Sequence, residues 1–163
     1  MIFATIGTDY HNFQRMHELI VLLSKELTEE QFIYQYGHAK IIDEIPKNLQ
    51  IQKFISRENF EFNLLNSSYV ITHAGAGTLL QCCEKKIFPL VLPRRVEFNE
   101  HLNNHQLDIL DEFEKQNLCL NIEKLSLKKI ITLLKNKEVY KKKEIKSEKT
   151  LLKKLKQSIL QVF

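Results

Sequence analysis

The chain has 163 residues, 44% hydrophobic and 27% charged, which suits one soluble globular domain with a sizeable core. Its formal charge of +4 is uneven, because residues 135–163 hold ten lysines against three glutamates while the remainder is slightly acidic. That distribution excludes a nucleic-acid-binding domain, whose basic groups form a face with readout residues, and no apolar run approaches the roughly 20 residues of a membrane span.

The opening Met1-Ile2-Phe3-Ala4-Thr5-Ile6-Gly7 has neither a basic leader nor a small-residue cleavage site, so it reads as a buried strand over 2–6 rather than a signal peptide. A helical pattern over 13–27 follows, then strands at 32–36 and 51–55, a helix at 60–65, and a strand at 69–72. Further on come a helix at 78–85, a strand at 88–92, a helix at 103–115, a strand at 118–120 and a helix at 127–134. This alternation predicts an α/β fold, a Rossmann-like parallel sheet flanked by helices on both faces. No repeat or Pro/Gly-rich linker divides the chain, so residues 1–135 form one α/β domain and 136–163 its lysine-rich helical extension. In that extension Leu151, Leu152, Leu155, Ile159 and Leu160 recur at helical spacing. They predict an amphipathic helix that either packs on its own domain or docks on a partner or an anionic membrane surface. Cys82, Cys83 and Cys119 are odd in number and lack C-x-x-C spacing, which argues against a disulfide framework or zinc site and suits buried packing in a reducing cytoplasm.

The functional information concentrates in residues 73–106. Strand 69–72 runs into His73-Ala74-Gly75-Ala76-Gly77-Thr78 and then a helix. Two glycines permit a sharp turn and close approach to a ligand, and the first amides of the helix, with its dipole behind them, form a seat for a diphosphate. The dinucleotide fingerprint fails at its third glycine, where Leu80 stands, and the P-loop pattern is absent. A plain strand-to-helix turn therefore remains an alternative. Pro93-Arg94-Arg95 closes the next strand, so Arg94 emerges at the rim where open α/β sheets bind ligands, placed to meet phosphate or a base, or simply solvent. The cluster Glu100-His101-Leu102-Asn103-Asn104-His105-Gln106 then opens a helix that Asn103 or Asn104 can cap. His101 and His105 stand at i and i+4, yet no third ligand has recognisable spacing and no Asp-x-Asp pair is present, so the expected site needs no metal or other cofactor.

Taken in this order and spacing, H-A-G-A-G-T, P-R and N-H-Q resemble the donor-binding half of the glycosyltransferase family 28 C-terminal domain, and the opening I-F-A-T-I-G-T with Phe13-Gln14-Arg15 resembles how its bacterial members begin. The resemblance spans about residues 1–120. It is closest to the short soluble subunits of split transferases, both the bacterial capsule and exopolysaccharide β-1,4-transferases and the eukaryotic enzyme of N-glycan synthesis. The fold it implies is the C-terminal half of a GT-B glycosyltransferase. It further implies a UDP-sugar donor, inverting transfer to a lipid-linked saccharide, and a membrane-associated acceptor-binding partner that holds this chain at the inner face of the membrane. Carried over by position, Gly75, Ala76, Gly77 and Thr78 would cradle the diphosphate, and Arg94 would lie beside the nucleotide. Asn104, His105 and Gln106 would face the donor sugar. Gly7 and Thr8 would line the cleft near the reacting centre, and His73 would support the glycine loop or face the donor.

Three positions depart from the family pattern. Gln81 stands where relatives carry a glutamate that holds the ribose hydroxyls, Lys86 where glycine is common, and Gln14 where Asp or Asn is frequent. An amide at 81 keeps one acceptor oxygen but loses charge-assisted bonds, which are roughly twice as strong as neutral ones. A non-catalytic nucleotide-sugar-binding regulatory subunit is therefore the alternative, and a scaffold that binds no nucleotide is a further rival. No general base is placed by the sequence: a partner chain could supply it, and His11, near the first-strand loop, reads as an exposed loop histidine more readily than as the base.

Overall fold

The computed structural model describes residues 1–41 and 44–136, together with Leu155 and Gln157. Among the described residues, six strands form one parallel sheet: β1 (Ile2–Thr5), β2 (Phe32–Gln35), β3 (Leu49–Gln52), β4 (Tyr69–Thr72), β5 (Leu90–Val91) and β6 (Leu120–Asn121). Their order across the sheet is β3-β2-β1-β4-β5-β6. Within residues 1–136 as described, five α-helices connect or follow them: α1 (Gln14–Glu26), α2 (Arg57–Asn66), α3 (Ala76–Glu84), α4 (His105–Lys115) and α5 (Leu127–Lys135). The expected parallel α/β architecture is the observed one.

The central strands are apolar throughout because both faces are covered. Along β1, Ile2 and Ala4 face one core with Ile6, Met16, Ile20 and Leu23, to which Ile130 and Leu134 of α5 contribute. Phe3 points the other way, into a cluster with Leu64 of α2, Val70 of β4 and Cys82 of α3. A third cluster packs Leu79 and Cys83 of α3 against Val91, Ile109, Leu110 and Phe113, and Leu155 is buried in it. All three cysteines are buried and free, and burial pushes their thiols well above the usual range, as packing residues require. Of the extension's apolar positions, Leu151, Leu152, Ile159 and Leu160 lie outside the described residues.

Local chemistry sets the boundaries. α2 starts at Arg57, earlier than its apolar pattern suggests, because the Ser56 Oγ accepts from the Asn59 amide at 3.2 Å and caps a first turn with no apolar residue. The edge strand β3 pairs from Phe32↔Leu49 to Gln35↔Gln52, so it ends where β2 ends, and Lys53 and Phe54 are exposed rather than part of the strand. α3 closes with Ile87 N bonded to Cys82 O at 2.8 Å and Lys86 N to Cys83 O at 3.1 Å. That is a Schellman motif with Lys86, at φ 58°, in the left-handed position usually filled by glycine.

Candidate functional site

The strand order reverses between β1 and β4, and the crevice beyond their carboxyl ends is where such sheets bind ligands. One wall is the loop after β1. There Gly7, at φ 74°, is fixed by its own N–H donating to Thr5 Oγ1 at 3.1 Å and by Gln35 Nε2 donating to its carbonyl at 3.2 Å. The other wall is the loop from β4 into α3. The first intrahelical bond of α3 runs from Leu79 N to Gly75 O, so the amides of Ala76, Gly77 and Thr78 precede it and lie at the positive end of the dipole.

His73 joins the two walls. A Cβ added at Gly7 would lie 2.6 Å from its Cε1, and one added at Gly75 would lie 2.2 Å from its Nε2, so the imidazole fills a slot that only two glycines leave open. The ring is 8% exposed, and Thr72 Oγ1 lies 3.4 Å from its Nδ1. Burial, reinforced by the positive charge of Arg94, lowers its pKa to about 3 and keeps it neutral at physiological pH. Gly77 differs from its neighbours, since a Cβ there would meet nothing within 4 Å. Its missing side chain faces open space.

A cleft of about 650 Å³ occupies this crevice. Gly7, Thr8, His73, Gly75, Gly77, Thr78 and Gln81 line it, and Ala76 belongs to the same loop. Sequence reasoning missed the opposite side: Gln35 at the end of β2, Ile55, and Arg57, Phe60 and Glu61 of α2, with Glu84 of α3 and Lys85 just after it. Lys85 pairs with Glu61 across the mouth. Gln35 was findable, because it ends a parallel strand beside the reversal point. Arg57 was not, because the helix start was set three residues late.

The second cluster behaves differently. Arg94 does not point to the rim: it is 0% exposed, its Nη1 donates to the carbonyls of His11 and Glu100 and its Nη2 to that of Ile6, each at 3.0 Å. Its guanidinium lies 4.7 Å over the Phe13 ring. Pro93 sits at a strand end as expected, but the arginine that follows turns inward, under the β1–α1 loop. Gln106 is also buried, and its Oε1 accepts from Arg94 N at 3.2 Å. Asn104 holds the N-cap position of α4, but its Oδ1 accepts from Val96 N at 3.3 Å, and the carboxamide oxygen of Asn103, one residue earlier, takes His105 N at 3.2 Å. His105 pairs with Asp108 and His101 faces Asp9, so the two histidines serve different partners. Arg94, Asn104, His105 and Gln106 lie on the β5–α4 side of the rim, outside the lining of the cleft. Glu100, 2% exposed, accepts from Arg15 at 2.9 and 2.6 Å and from Arg95 N at 3.0 Å.

His11 is not an exposed loop residue. Its Nδ1 lies 2.7 Å from Asp9 Oδ1, and its side chain is 16% exposed. Among the described residues no group of three or more His, Cys, Asp or Glu is arranged to hold a metal, and no helix is long and apolar enough to cross a membrane.

The family model for the glycosyltransferase family 28 C-terminal domain matches residues 1–161. Among solved structures, the glycotransferase of kitacinnamycin is similar over 99% of this chain and 38% of its own, with a TM-score of 0.63 and 14% identity. The glycosyltransferase SnogD from Streptomyces nogalater is similar over 99% and 39%, with a TM-score of 0.58 and 16% identity. The calicheamicin glycosyltransferase CalG4 is similar over 99% and 38%, with a TM-score of 0.61 and 10% identity. The chain thus has the fold of one portion of these proteins and spans 38–39% of their length. No curated protein matches it.

Proposed function

We propose, from the premise that this chain belongs to the glycosyltransferase family 28 C-terminal domain family, that it is the UDP-sugar-binding catalytic subunit of a two-component inverting transferase. The observation that carries this reading is the cleft at the β1/β4 reversal, with the α3 amides at its base and the open face of Gly77 in its wall. A diphosphate seated there would gain backbone N–H bonds and the helix dipole without a metal. The same groups would stabilise the charge that develops on departing UDP, which is where preorganised dipoles accelerate reaction most. Gln81 would take one ribose hydroxyl, while Ile55 and Phe60 offer an apolar wall to the base.

The acceptor is proposed to be a lipid-linked saccharide of surface polysaccharide or glycan synthesis, presented by a membrane-associated partner that draws this chain to the cytoplasmic face. The amide at Gln81 favours a second reading, a regulatory subunit that binds nucleotide-sugars without transferring them. Calorimetric titration with UDP and UDP-GlcNAc, followed by an activity assay with the co-expressed partner, separates the two. Binding with transfer supports the first, binding without transfer the second, and absence of binding to any UDP compound refutes both.

A further inference from the structure

The loop after β1 carries a second constellation that donor binding leaves unused. Asp9 Oδ1 accepts from His11 N at 2.8 Å and lies 2.7 Å from His11 Nδ1, while Oδ2 faces His101 Nε2 at 3.8 Å. Burial raises the Asp9 pKa, but the hydrogen bonds from His11 and the charge of Arg94 outweigh it, so the carboxyl stays below its usual range. An ionised carboxylate only accepts, so the shared proton sits on His11 Nδ1 and the neutral ring keeps its basic lone pair on Nε2. Tyr10 stacks on the ring at 4.1 Å, and the His101 ring stands 6.0 Å away. From beneath, Arg94 holds the His11 carbonyl at 3.0 Å. Gly7 and Thr8 of the same loop line the cleft.

We propose that His11 is the general base of the transfer reaction, taking the proton of the acceptor hydroxyl on Nε2, with Asp9 as its positioning residue. The inference rests on the glycosyl-transfer reading above. As the acceptor oxygen forms its bond to the anomeric carbon, its proton passes to His11. The bond from that carbon to the diphosphate oxygen breaks, its electron pair leaves with UDP, and Asp9 stabilises the imidazolium until its proton returns to solvent. The other histidines suit the task less. His73 is walled in and too weakly basic, its pKa lowered to about 3. The Nε2 of His101 is turned toward the Asp9 carboxylate and its Nδ1 contacts Asn103 backbone. His105 sits beside Asp108, His17 of α1 is buried against the Tyr34 ring, and His38, after β2, packs edge-on to Phe54.

The test uses the full chain with UDP-GlcNAc, UDP-glucose and UDP-galactose, reading UDP release with the partner present or with water as acceptor. His11→Gln is expected to lower release by roughly 10²–10⁴-fold and Asp9→Asn by at least about tenfold, with UDP affinity essentially unchanged. The wild-type rate should rise with pH through the deprotonation of one group, and His11→Gln should lose that limb. A His11→Gln rate and pH limb equal to wild type overturns the proposal. NMR decides independently of turnover. On saturation with UDP-sugar the His11 ring nitrogens and the Gly75 and Gly77 amides should all shift. A silent His11 ring beside shifting glycine amides overturns the base assignment alone, whereas silent glycine amides overturn the donor site on which it rests.

Discussion

Gly75→Ala tests whether the β1 and β4 loops are built around one imidazole. The added Cβ would lie 2.2 Å from His73 Nε2, 2.8 Å from Cε1 and 2.9 Å from Cδ2. Carbon contacts are comfortable at about 3.5–4.0 Å, so the overlap exceeds about 1 Å at the nearest atom. Retreat toward Gly7 is limited, because a Cβ built there would lie 2.6 Å from Cε1, which places the Gly7 backbone itself close to the ring. Overpacking of this kind costs about 1–3 kcal/mol. Removing the ring removes the clash, so in a His73→Ala background the same substitution should cost less than about 0.5 kcal/mol, a coupling of about 1–2 kcal/mol. Gly7→Ala should recover less, because at φ 74° a side chain is strained even with the slot empty, by about 1 kcal/mol. Urea unfolding of the four proteins of the cycle measures the coupling, and UDP titration reports whether the displaced loop still binds. Equal costs of Gly75→Ala in both backgrounds would refute the shared-slot account.

Lys86→Gly should stabilise the chain by about 0.5–1 kcal/mol, the left-handed strain relieved less the added unfolded-state entropy, and raise Tm by about 1–4 °C. Lys86→Ala, which removes the same exposed side chain but keeps the strain, should not. Stability should fall as pH drops from about 6.5 toward 4.5, where unfolded histidine is protonated but buried His73 is not, by at most about 1.4 kcal/mol per pH unit. His73→Asn should flatten that slope in urea titrations across the window, and an unchanged slope would mean the ring is not held neutral. Gln81→Glu should tighten UDP binding about fivefold by restoring a charge-assisted bond to ribose, and the gain should vanish with 2′-deoxy-UDP. An unchanged Kd in calorimetry would remove Gln81 from the ribose site.

The alternation of apolar runs and helical periods made the sheet legible, because strands covered on both faces must be apolar end to end. The edges were less so: β3 is set by pairing with β2, and its Gln50 and Gln52 carry no strand signal. The glycine loop was legible because its residue types are forced by backbone and ring geometry that sequence partly encodes. Its two glycines nevertheless differ, one making room for His73 and the other facing open space, and only coordinates separate them. Gln35 and Arg57 were missed because a lone polar residue at a strand end or in a first helical turn resembles any solvated side chain. His11 was misjudged because its partner two residues away acts through a turn, which spacing alone does not reveal.

Arg94 shows how a motif residue near the rim can be spent on the loops around a cleft rather than on its lining. An arginine at a strand's carboxyl end reads as a ligand contact, yet three backbone carbonyls from two loops converge on this one. Two of them, Ile6 and His11, bracket the loop whose Gly7 and Thr8 line the cleft and which also carries Asp9. The third belongs to Glu100, whose buried carboxylate holds Arg15 and the Arg95 amide. Five donors in a fixed plane can satisfy such a set where lysine cannot. The arginine therefore ties the loop after β1 to the loop before α4, and its position in sequence is dictated by the loops it joins.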